Sequence, residues 1–136
     1  MQIDNGLIKI FISWTKLKIR LHSSKAQPVY FREKEIWWAS LGANIGYEQD
    51  GKNDKFERPI LVLKKFNKDI LWALPLTRVR KLNNKYYFQL KQGDEDSFLI
   101  LSQIRLISSK RLSRKMRIIE QTEFDQINSR MREFFV

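Results

Sequence analysis

The side chains that could perform chemistry in this sequence are arginines, lysines, hydroxyls, carboxylates and tyrosines. The 136 residues include no cysteine and one histidine, His22. A chain without cysteine has no disulfide framework, no thiolate nucleophile and no cysteine-bound zinc. A single imidazole also excludes two-histidine acid–base catalysis and multi-histidine metal sites within one chain. The lack of cysteine fits a reducing compartment, and we expect a cytoplasmic protein.

Arg58 stands at the start of an apolar run, Pro59–Phe66, directly after a long segment that contains several glycines. A strand over this run would hold the guanidinium in place while it faces outward. In an equally open interpretation, Arg58 pairs with Glu48 or Glu57 and fixes the loop. The loop Gly42–Glu57 is long for a compact domain, and such loops are usually functional or mobile.

Hydroxyl and amide side chains occupy two further segments. Thr77 ends the apolar run Ile70–Thr77, although a lone threonine there is more commonly an ordinary strand residue. The polar segment Ser102–Arg105 interrupts the apolar run Phe98–Ile107, a pattern that is also typical of the solvent face of an alternating strand. Neither segment is specific on its own.

The charge of the chain favours a polyanionic partner. Twenty-six Lys and Arg residues against 15 Asp and Glu residues give a net charge of +11, and the excess is spread along the chain. A basic domain of this size indicates nucleic acid first. Charged residues interrupt the apolar stretch Leu7–Leu21, so it resembles neither a signal peptide nor a membrane span, and we expect no membrane association.

Short runs of β-branched and aromatic residues predict the strands that position these side chains. At least five mostly antiparallel strands are expected, over Ile36–Leu41, Pro59–Phe66, Ile70–Thr77, Lys85–Lys91 and Phe98–Ile107. Turn-forming residues predict hairpin connections at Leu82–Lys85 and Gly93–Asp96. Because so few short strands cannot leave long bare edges, we expect a small, curled, partly closed barrel.

Two helices are expected beside the barrel. Apolar residues at three- and four-residue steps predict an amphipathic helix over residues 7–22, which Pro28 prevents from continuing. This helix most simply covers a sheet, and a membrane-surface or partner-binding role is the alternative. Thr122 as an N-cap and a helical period after it predict a second helix over about 123–134. The predicted fold class is therefore α+β.

The order of the motifs resembles that of the MazF/PemK family of toxins. The matching blocks fall over about residues 34–134 and are Glu35–Gly42, Gly46–Gly51, Arg58–Leu63, Pro75–Thr77, Ser102–Arg105 and Lys110–Leu112. The resemblance implies an SH3-like curled antiparallel barrel shared with the CcdB toxins, at 34–136, after an N-terminal helical extension at 1–33. It also implies a homodimer that cleaves single-stranded RNA at selected sequences and needs neither a metal ion nor a cofactor. A small antitoxin protein would inhibit this activity.

The resemblance assigns catalysis to Arg58 and Thr77. Arg58 would stabilise the charge of the phosphorane, and Thr77 would donate a hydrogen bond to a phosphate oxygen. Glu48 is a candidate to orient Arg58 or to assist proton transfer. The expected substrate-binding residues are Tyr47, Gln49, Arg78, Arg80, Lys81, Ser102 and Gln103. Ser102 stands where some relatives carry an aspartate with a basic role, so the general base stays open.

Two non-catalytic interpretations also stay open. The same barrel can act by binding a protein, as the gyrase-poisoning CcdB relatives do. It can also be an RNA-binding barrel that has lost catalysis, an interpretation that Ser102 favours. The motifs Arg58–Pro59 and Pro75–Thr77 favour the ribonuclease.

Overall fold

The computed structural model describes residues 1–79, 85–91 and 97–136. The fold is α+β, as predicted. Its helices and strands, in chain order, are α1 (Asn5–Ser23), β1 (Glu35–Ser40), β2 (Glu57–Lys65), β3 (Ile70–Thr77), β4 (Tyr87–Leu90), β5 (Ser97–Ile100), β6 (Arg105–Ser108), β7 (Leu112–Ile118) and α2 (Gln121–Arg132). Short 3-10 turns lie at Leu101–Gln103, Ser109–Arg111 and Glu133–Phe135.

The strands form one curled antiparallel sheet with the order β4-β5-β3-β2-β1-β7. Strand β3 belongs to both halves of the curl. Its residues Ile70–Ala73 pair with β6, whereas Leu76 and Thr77 pair with β5. Because β3 changes partner along its length, the sheet bends around it. Over the described residues the sheet does not close, which fits the expected curled barrel.

The structure corrects one strand prediction and adds one strand that was not predicted. The predicted strand Phe98–Ile107 is interrupted, because a 3-10 turn at Leu101–Gln103 separates β5 from β6. Strand β7 was not predicted because exposed polar residues dominate it and no apolar run marks it. The predicted turn Gly93–Asp96 and most of Leu82–Lys85 lie outside the described residues. Strands β4 and β5 pair antiparallel, as a hairpin requires, whereas β3 and β4 are not neighbours.

Both predicted helices are present, and their ends lie one or two residues from the predicted bounds. Helix α1 begins after Asp4, whose carboxylate accepts a hydrogen bond of 2.8 Å from the Gly6 N–H. Helix α2 begins at Gln121, so its N-cap is Glu120 and the assignment of this cap to Thr122 is wrong. None of the described helices is long and apolar enough to cross a bilayer.

Alternating residues of β1 and β2 pack into two apolar clusters. Ile36 and Leu61 point into the cluster that α2 covers, whereas Trp37 and Ile60 point into the other. Each fully buried leucine or isoleucine contributes about 1.5–3 kcal/mol relative to exposure. These two clusters hold β1, β2 and β3 as a rigid support for the side chains at their ends.

Helix α1 is attached to the barrel mainly through one side chain. Trp14 is its only buried residue, and the indole packs where a Cβ on Gly42 would stand, 2.2 Å from that position. The ring also contacts Phe56, with 5.6 Å between centroids, and Arg111 lies over it. Most of the apolar face of α1 is exposed, so the helix does not cover the sheet in the way the sequence suggested.

Candidate functional site

Arg58 is held at the start of β2 by two backbone carbonyls. Its Nε donates to the Asp50 carbonyl at 2.6 Å, and its Nη1 donates to the Leu76 carbonyl at 2.9 Å. Among the described residues it forms no ion pair with Glu48 or Glu57, so neither carboxylate fixes the loop through Arg58. A guanidinium has five N–H donors, and within the described parts of the chain these two bonds leave three of them for a ligand.

The Asp50 carbonyl reaches the guanidinium because the loop folds back tightly on itself. Gly51 donates its N–H to the Gly42 carbonyl at 2.9 Å. A Cβ on Gly51 would stand 1.6 Å from the Phe56 carbonyl oxygen, so only glycine allows this approach. The glycines that the sequence places in the loop thus position a functional arginine.

Burial changes the electrostatics of the guanidinium. It lowers the pKa of Arg58, and the nearby Asp50 carboxylate offsets part of this effect. Arginine remains a cation at neutral pH in spite of such a shift. A partly desolvated cation interacts more strongly with a phosphate than an exposed one does.

Thr77 lies at the end of β3, opposite Arg58. Ile60 of β2 pairs with Pro75 of β3, and the same register, continued by two residues, places Arg58 across from Thr77. Thr77 is buried, with 8% of its surface exposed, and its Oγ1 accepts a hydrogen bond of 3.2 Å from the Val79 N–H. Its hydroxyl proton has no acceptor among the described residues and can be donated to a ligand.

Arg58 and Thr77 line the same cavity, which has a volume of about 610 Å³. Its other described lining residues are Trp38, Lys52, Asn53, Glu57, Pro59, Leu76, Arg78, Val79, Ser97, Met116 and Arg117. Four of the described lining residues are cationic, and only Glu57 carries a carboxylate. A cavity with this charge balance suits an anionic ligand.

The Glu57 carboxylate is already engaged within the protein. Burial acts to raise its pKa, but hydrogen bonds from Ser113, Arg114 and Asn53 outweigh burial, so the pKa is lowered overall. The Arg114 guanidinium lies 3.3 Å from this carboxylate. An ionised carboxylate with three partners is a weak proton acceptor, and its contacts indicate that it fastens β7 to β2.

Five other predicted site residues lie around a second recess, of about 450 Å³. They are Tyr47, Glu48, Gln49, Ser102 and Gln103. Gln103 joins the two sides of the recess, since its Oε1 accepts from the Gln49 N–H at 2.7 Å and its Nε2 donates to the Tyr47 carbonyl at 3.0 Å. Both ends of this amide are therefore used to hold the loop.

Glu48 lies with Arg105 rather than with Arg58. Its Oε1 accepts a hydrogen bond of 3.0 Å from the Ile45 N–H and so closes a turn. Burial lowers the pKa of Arg105, and the charges of Glu48 and Asp50 partly offset that effect. Glu48 does not line the cavity that contains Arg58 and Thr77.

The structure thus divides the predicted residues into two groups. Arg58, Thr77 and the exposed Arg78 share the cavity, whereas the other five surround the recess. Arg80 and Lys81 lie outside the described residues. Among the described residues, no three His, Cys, Asp or Glu side chains cluster as a metal site would require.

Sequence reasoning missed three residues near Arg58 and Thr77. Asp50 holds Arg58 through its main chain, which no side-chain pattern could indicate. Trp38 and Arg117 both line the cavity. The cluster of basic residues in β7 could have marked Arg117 as a candidate binding residue. Trp38 follows Trp37 in the sequence and looks like an ordinary core residue.

The barrel is similar to those of known toxins. It matches Mycobacterium tuberculosis toxin MazF-mt6 with a TM-score of 0.57 and 13% identity over 74% of this chain and 95% of that one. It matches MazF of Deinococcus radiodurans with a TM-score of 0.60 and 15% identity, over 79% and 98%. A mycobacterial endoribonuclease in complex with its cognate antitoxin gives 0.61 and 12%, over 78% and 95%. At these identities the likeness establishes the fold alone.

Two comparisons of the sequence itself gave different results. No curated protein sequence matches the chain. A family model described as "PemK-like, MazF-like toxin of type II toxin-antitoxin system" matches residues 32–135, from just before β1 to the end of the final 3-10 turn. This range includes every element of the barrel together with Arg58 and Thr77, and the chain therefore belongs to the PemK/MazF toxin family of type II toxin–antitoxin systems.

Proposed function

We propose that this toxin is an endoribonuclease that cleaves single-stranded RNA at selected sequences without a metal ion. One observation carries the proposal: Arg58 and Thr77 present unused hydrogen-bond donors to the same basic cavity. A site of this kind can bind a phosphate and stabilise additional charge on it. The name of one structural neighbour, an endoribonuclease, agrees with this activity.

The reaction begins when the ribose 2′-hydroxyl attacks the adjacent phosphorus in line. The P–O5′ bond then breaks, leaving a 2′,3′-cyclic phosphate and a 5′-hydroxyl. Arg58 binds the non-bridging oxygens as negative charge accumulates, and Thr77 donates to one of them. Each preorganised donor of this kind is worth about 10²–10³ in rate. Partial burial lowers the pKa of Arg58, so it is also our candidate to protonate the leaving 5′-oxygen.

Water is our candidate for the base. The Arg58 guanidinium is already protonated, and the Glu57 carboxylate has partners that lower its pKa. Glu48 lies in the other recess, and a serine such as Ser102 is no base without assistance. We therefore assign the 2′-hydroxyl proton to a water molecule in the cavity.

RNA binding without cleavage is the second candidate function. The observation that favours it is that no free carboxylate or imidazole is present among the described lining residues of the cavity. A protein of this kind would bind single strands through the same cations and leave them intact. A product assay therefore distinguishes the two candidates, whereas a binding assay does not.

We further propose that an antitoxin protein and a second copy of the chain are its partners. One structural neighbour is a complex with a cognate antitoxin, and the charge of +11 suits an acidic antitoxin segment that competes with RNA. An acidic peptide that failed to compete with RNA would contradict the shared site. A monomeric mass at micromolar concentration would contradict the dimer.

The family match begins at residue 32, which supports treating 1–33 as a helical extension.

The decisive experiment is incubation of the purified protein with a long single-stranded RNA in excess EDTA, followed by mapping of the cut ends. We expect discrete cuts with cyclic-phosphate and 5′-hydroxyl ends. Folded Arg58→Ala and Thr77→Ala proteins should lose these cuts. RNA that stays intact but bound would favour the non-cleaving barrel, and cleavage only after addition of a divalent ion would contradict the metal-independent mechanism.

A further inference from the structure

Arg117 is a second arginine in the cavity that the proposed mechanism does not use. It lies on β7 opposite Ile36 of β1, and it lines the cavity together with Thr77. Its Nη1 is buried and has no hydrogen-bond partner within the parts of the chain that the structure describes. Buried donors are satisfied almost without exception in folded proteins, so the described residues leave this guanidinium short of an acceptor.

A β-bulge brings Arg117 to the cavity. Ile36 pairs with Arg117 and Trp37 pairs with Lys115, so Met116 is an extra residue that no residue of β1 opposes. The extra residue allows Met116 and Arg117 both to line the cavity, although neighbours on a regular strand face opposite sides. Bulges commonly redirect a side chain beside a binding site.

The neighbouring basic residues of β7 are engaged, which makes Arg117 distinctive. Arg114 pairs with Glu57 at 3.3 Å and lies over the Trp38 ring, with 4.7 Å to its centroid. Lys115 pairs with Glu35 at 3.4 Å. Both pairs bind β7 to β1 and β2. No described residue provides Arg117 with a comparable acceptor.

We infer that Arg117 binds a phosphodiester of the RNA strand next to the one that Arg58 and Thr77 hold. This inference rests on the proposed function, because it uses the same cavity and the same ligand. The described lining of the cavity includes four cationic side chains and one engaged carboxylate, so a polyanion fits it better than a neutral ligand. The planar guanidinium fork matches two oxygens of one phosphate. The Trp38 ring provides an apolar wall for the adjoining nucleotide.

The test measures binding of a single-stranded 2′-O-methyl RNA, which lacks the attacking hydroxyl, between 50 and 300 mM salt. The probe carries the mapped cut sequence, or a mixed sequence of about 12 nucleotides if no cut is found. Each phosphate contact on a single strand contributes about 0.7 to the slope of log K against log salt. We compare the full-length wild type with Arg117→Met, Arg117→Gln and Lys115→Met.

Loss of one specific contact has a different signature from loss of one charge. Arg117→Met and Arg117→Gln should reduce the slope by about 0.7 and weaken binding about tenfold at low salt. Lys115→Met removes the same charge from the same strand outside the cavity and should keep the wild-type slope. Two uncharged replacements of Arg117 are compared, so that the test can still be read if one of the two proteins fails to fold.

The possible outcomes separate this inference from the proposed function. An unchanged slope in a folded Arg117 variant, or an equal loss in Lys115→Met, would overturn the phosphate contact even if the wild type cleaves RNA. A slope that depends on Arg117 in a protein that never cleaves RNA would support the contact and contradict the nuclease. A wild type that does not bind the probe would overturn the inference as well.

Discussion

Arg58 and Thr77 in the cavity and Gln103 in the recess come from different motifs of one family, and they differ in how many of their hydrogen bonds are already used within the protein. In the cavity, no described residue uses three of the Arg58 N–H donors or the Thr77 hydroxyl proton. In the recess, both ends of the Gln103 amide and one Glu48 oxygen are bonded to the main chain. Residue type alone therefore does not mark a functional side chain, because its hydrogen bonds must also be available.

The two regions are connected through the loop between β1 and β2. Gln103 holds this loop at Tyr47 and Gln49, and the Asp50 carbonyl that follows holds Arg58. The recess is therefore expected to affect catalysis indirectly, through the position of the guanidinium. Substitutions of Arg58 or Thr77 should change the rate strongly, and substitution of Gln103 should mainly change stability.

The largest effect is expected for Arg58. Replacement with alanine removes the donors to the phosphate and leaves two carbonyls without their partner, and cleavage should fall about 10³-fold or more. Arg58→Lys keeps the charge but loses the planar fork, and a loss of about 10² is expected. Single-turnover rates on a short RNA in EDTA measure both. Arg132→Ala, an exposed change on α2, is the matched control, and an Arg58→Ala protein with wild-type rates would refute the site.

The second largest effect is expected for Thr77→Val, which keeps the shape of the side chain and removes the hydroxyl. Loss of one donor to the phosphate should lower the single-turnover rate about 10²-fold. The Val79 N–H also loses its acceptor, so the melting temperature must be recorded with the rate. Thr122→Val makes the same chemical change at an exposed position of α2 and should change neither quantity. An unchanged rate in Thr77→Val would place the phosphate elsewhere.

Sequence reasoning could predict the residues that an apolar run or a motif marks. Helix α1 and the strands β1 to β3 follow from local patterns. The pair Arg58 and Thr77 follows from the family resemblance, and the structure places both residues in one cavity. The role of Gln103 could not be predicted, because it depends on a contact with a loop more than 50 residues away.

Strand β7 also could not be predicted from the local sequence. Its side chains are mostly exposed and polar, so packing does not mark it, and its pairing with β1 contains bulges. The direction of Arg117 depends on one of these bulges, and a regular alternation of faces would not predict it.

A smaller effect on rate, with a clear effect on stability, is expected for Gln103→Met. The change keeps the length of the side chain but breaks two hydrogen bonds to the loop, at a cost of about 1–3 kcal/mol. The melting temperature should fall by several degrees, whereas the rate at a temperature where the protein is folded should fall less than about tenfold. Gln27→Met provides the matched exposed control. A rate loss as large as that of Thr77→Val, without a change in melting temperature, would show that Gln103 contacts RNA.

The smallest effect on cleavage is expected for Glu57→Gln, which tests whether the carboxylate of the cavity is structural. Its pKa is lower in the folded protein than the ordinary value of 4.5, so it stabilises the fold above that pH, and this contribution is lost as the pH falls through the folded pKa. Glu57→Gln should therefore be less stable at neutral pH, by about 2–5 °C in melting temperature, and should lose less stability on acidification. Its cleavage rate near pH 7 should stay within about threefold of wild type, since a general base contributes about 10²–10⁴. A hundredfold loss of cleavage rate in the folded variant would instead identify Glu57 as the general base, and a water molecule would not be needed in that role.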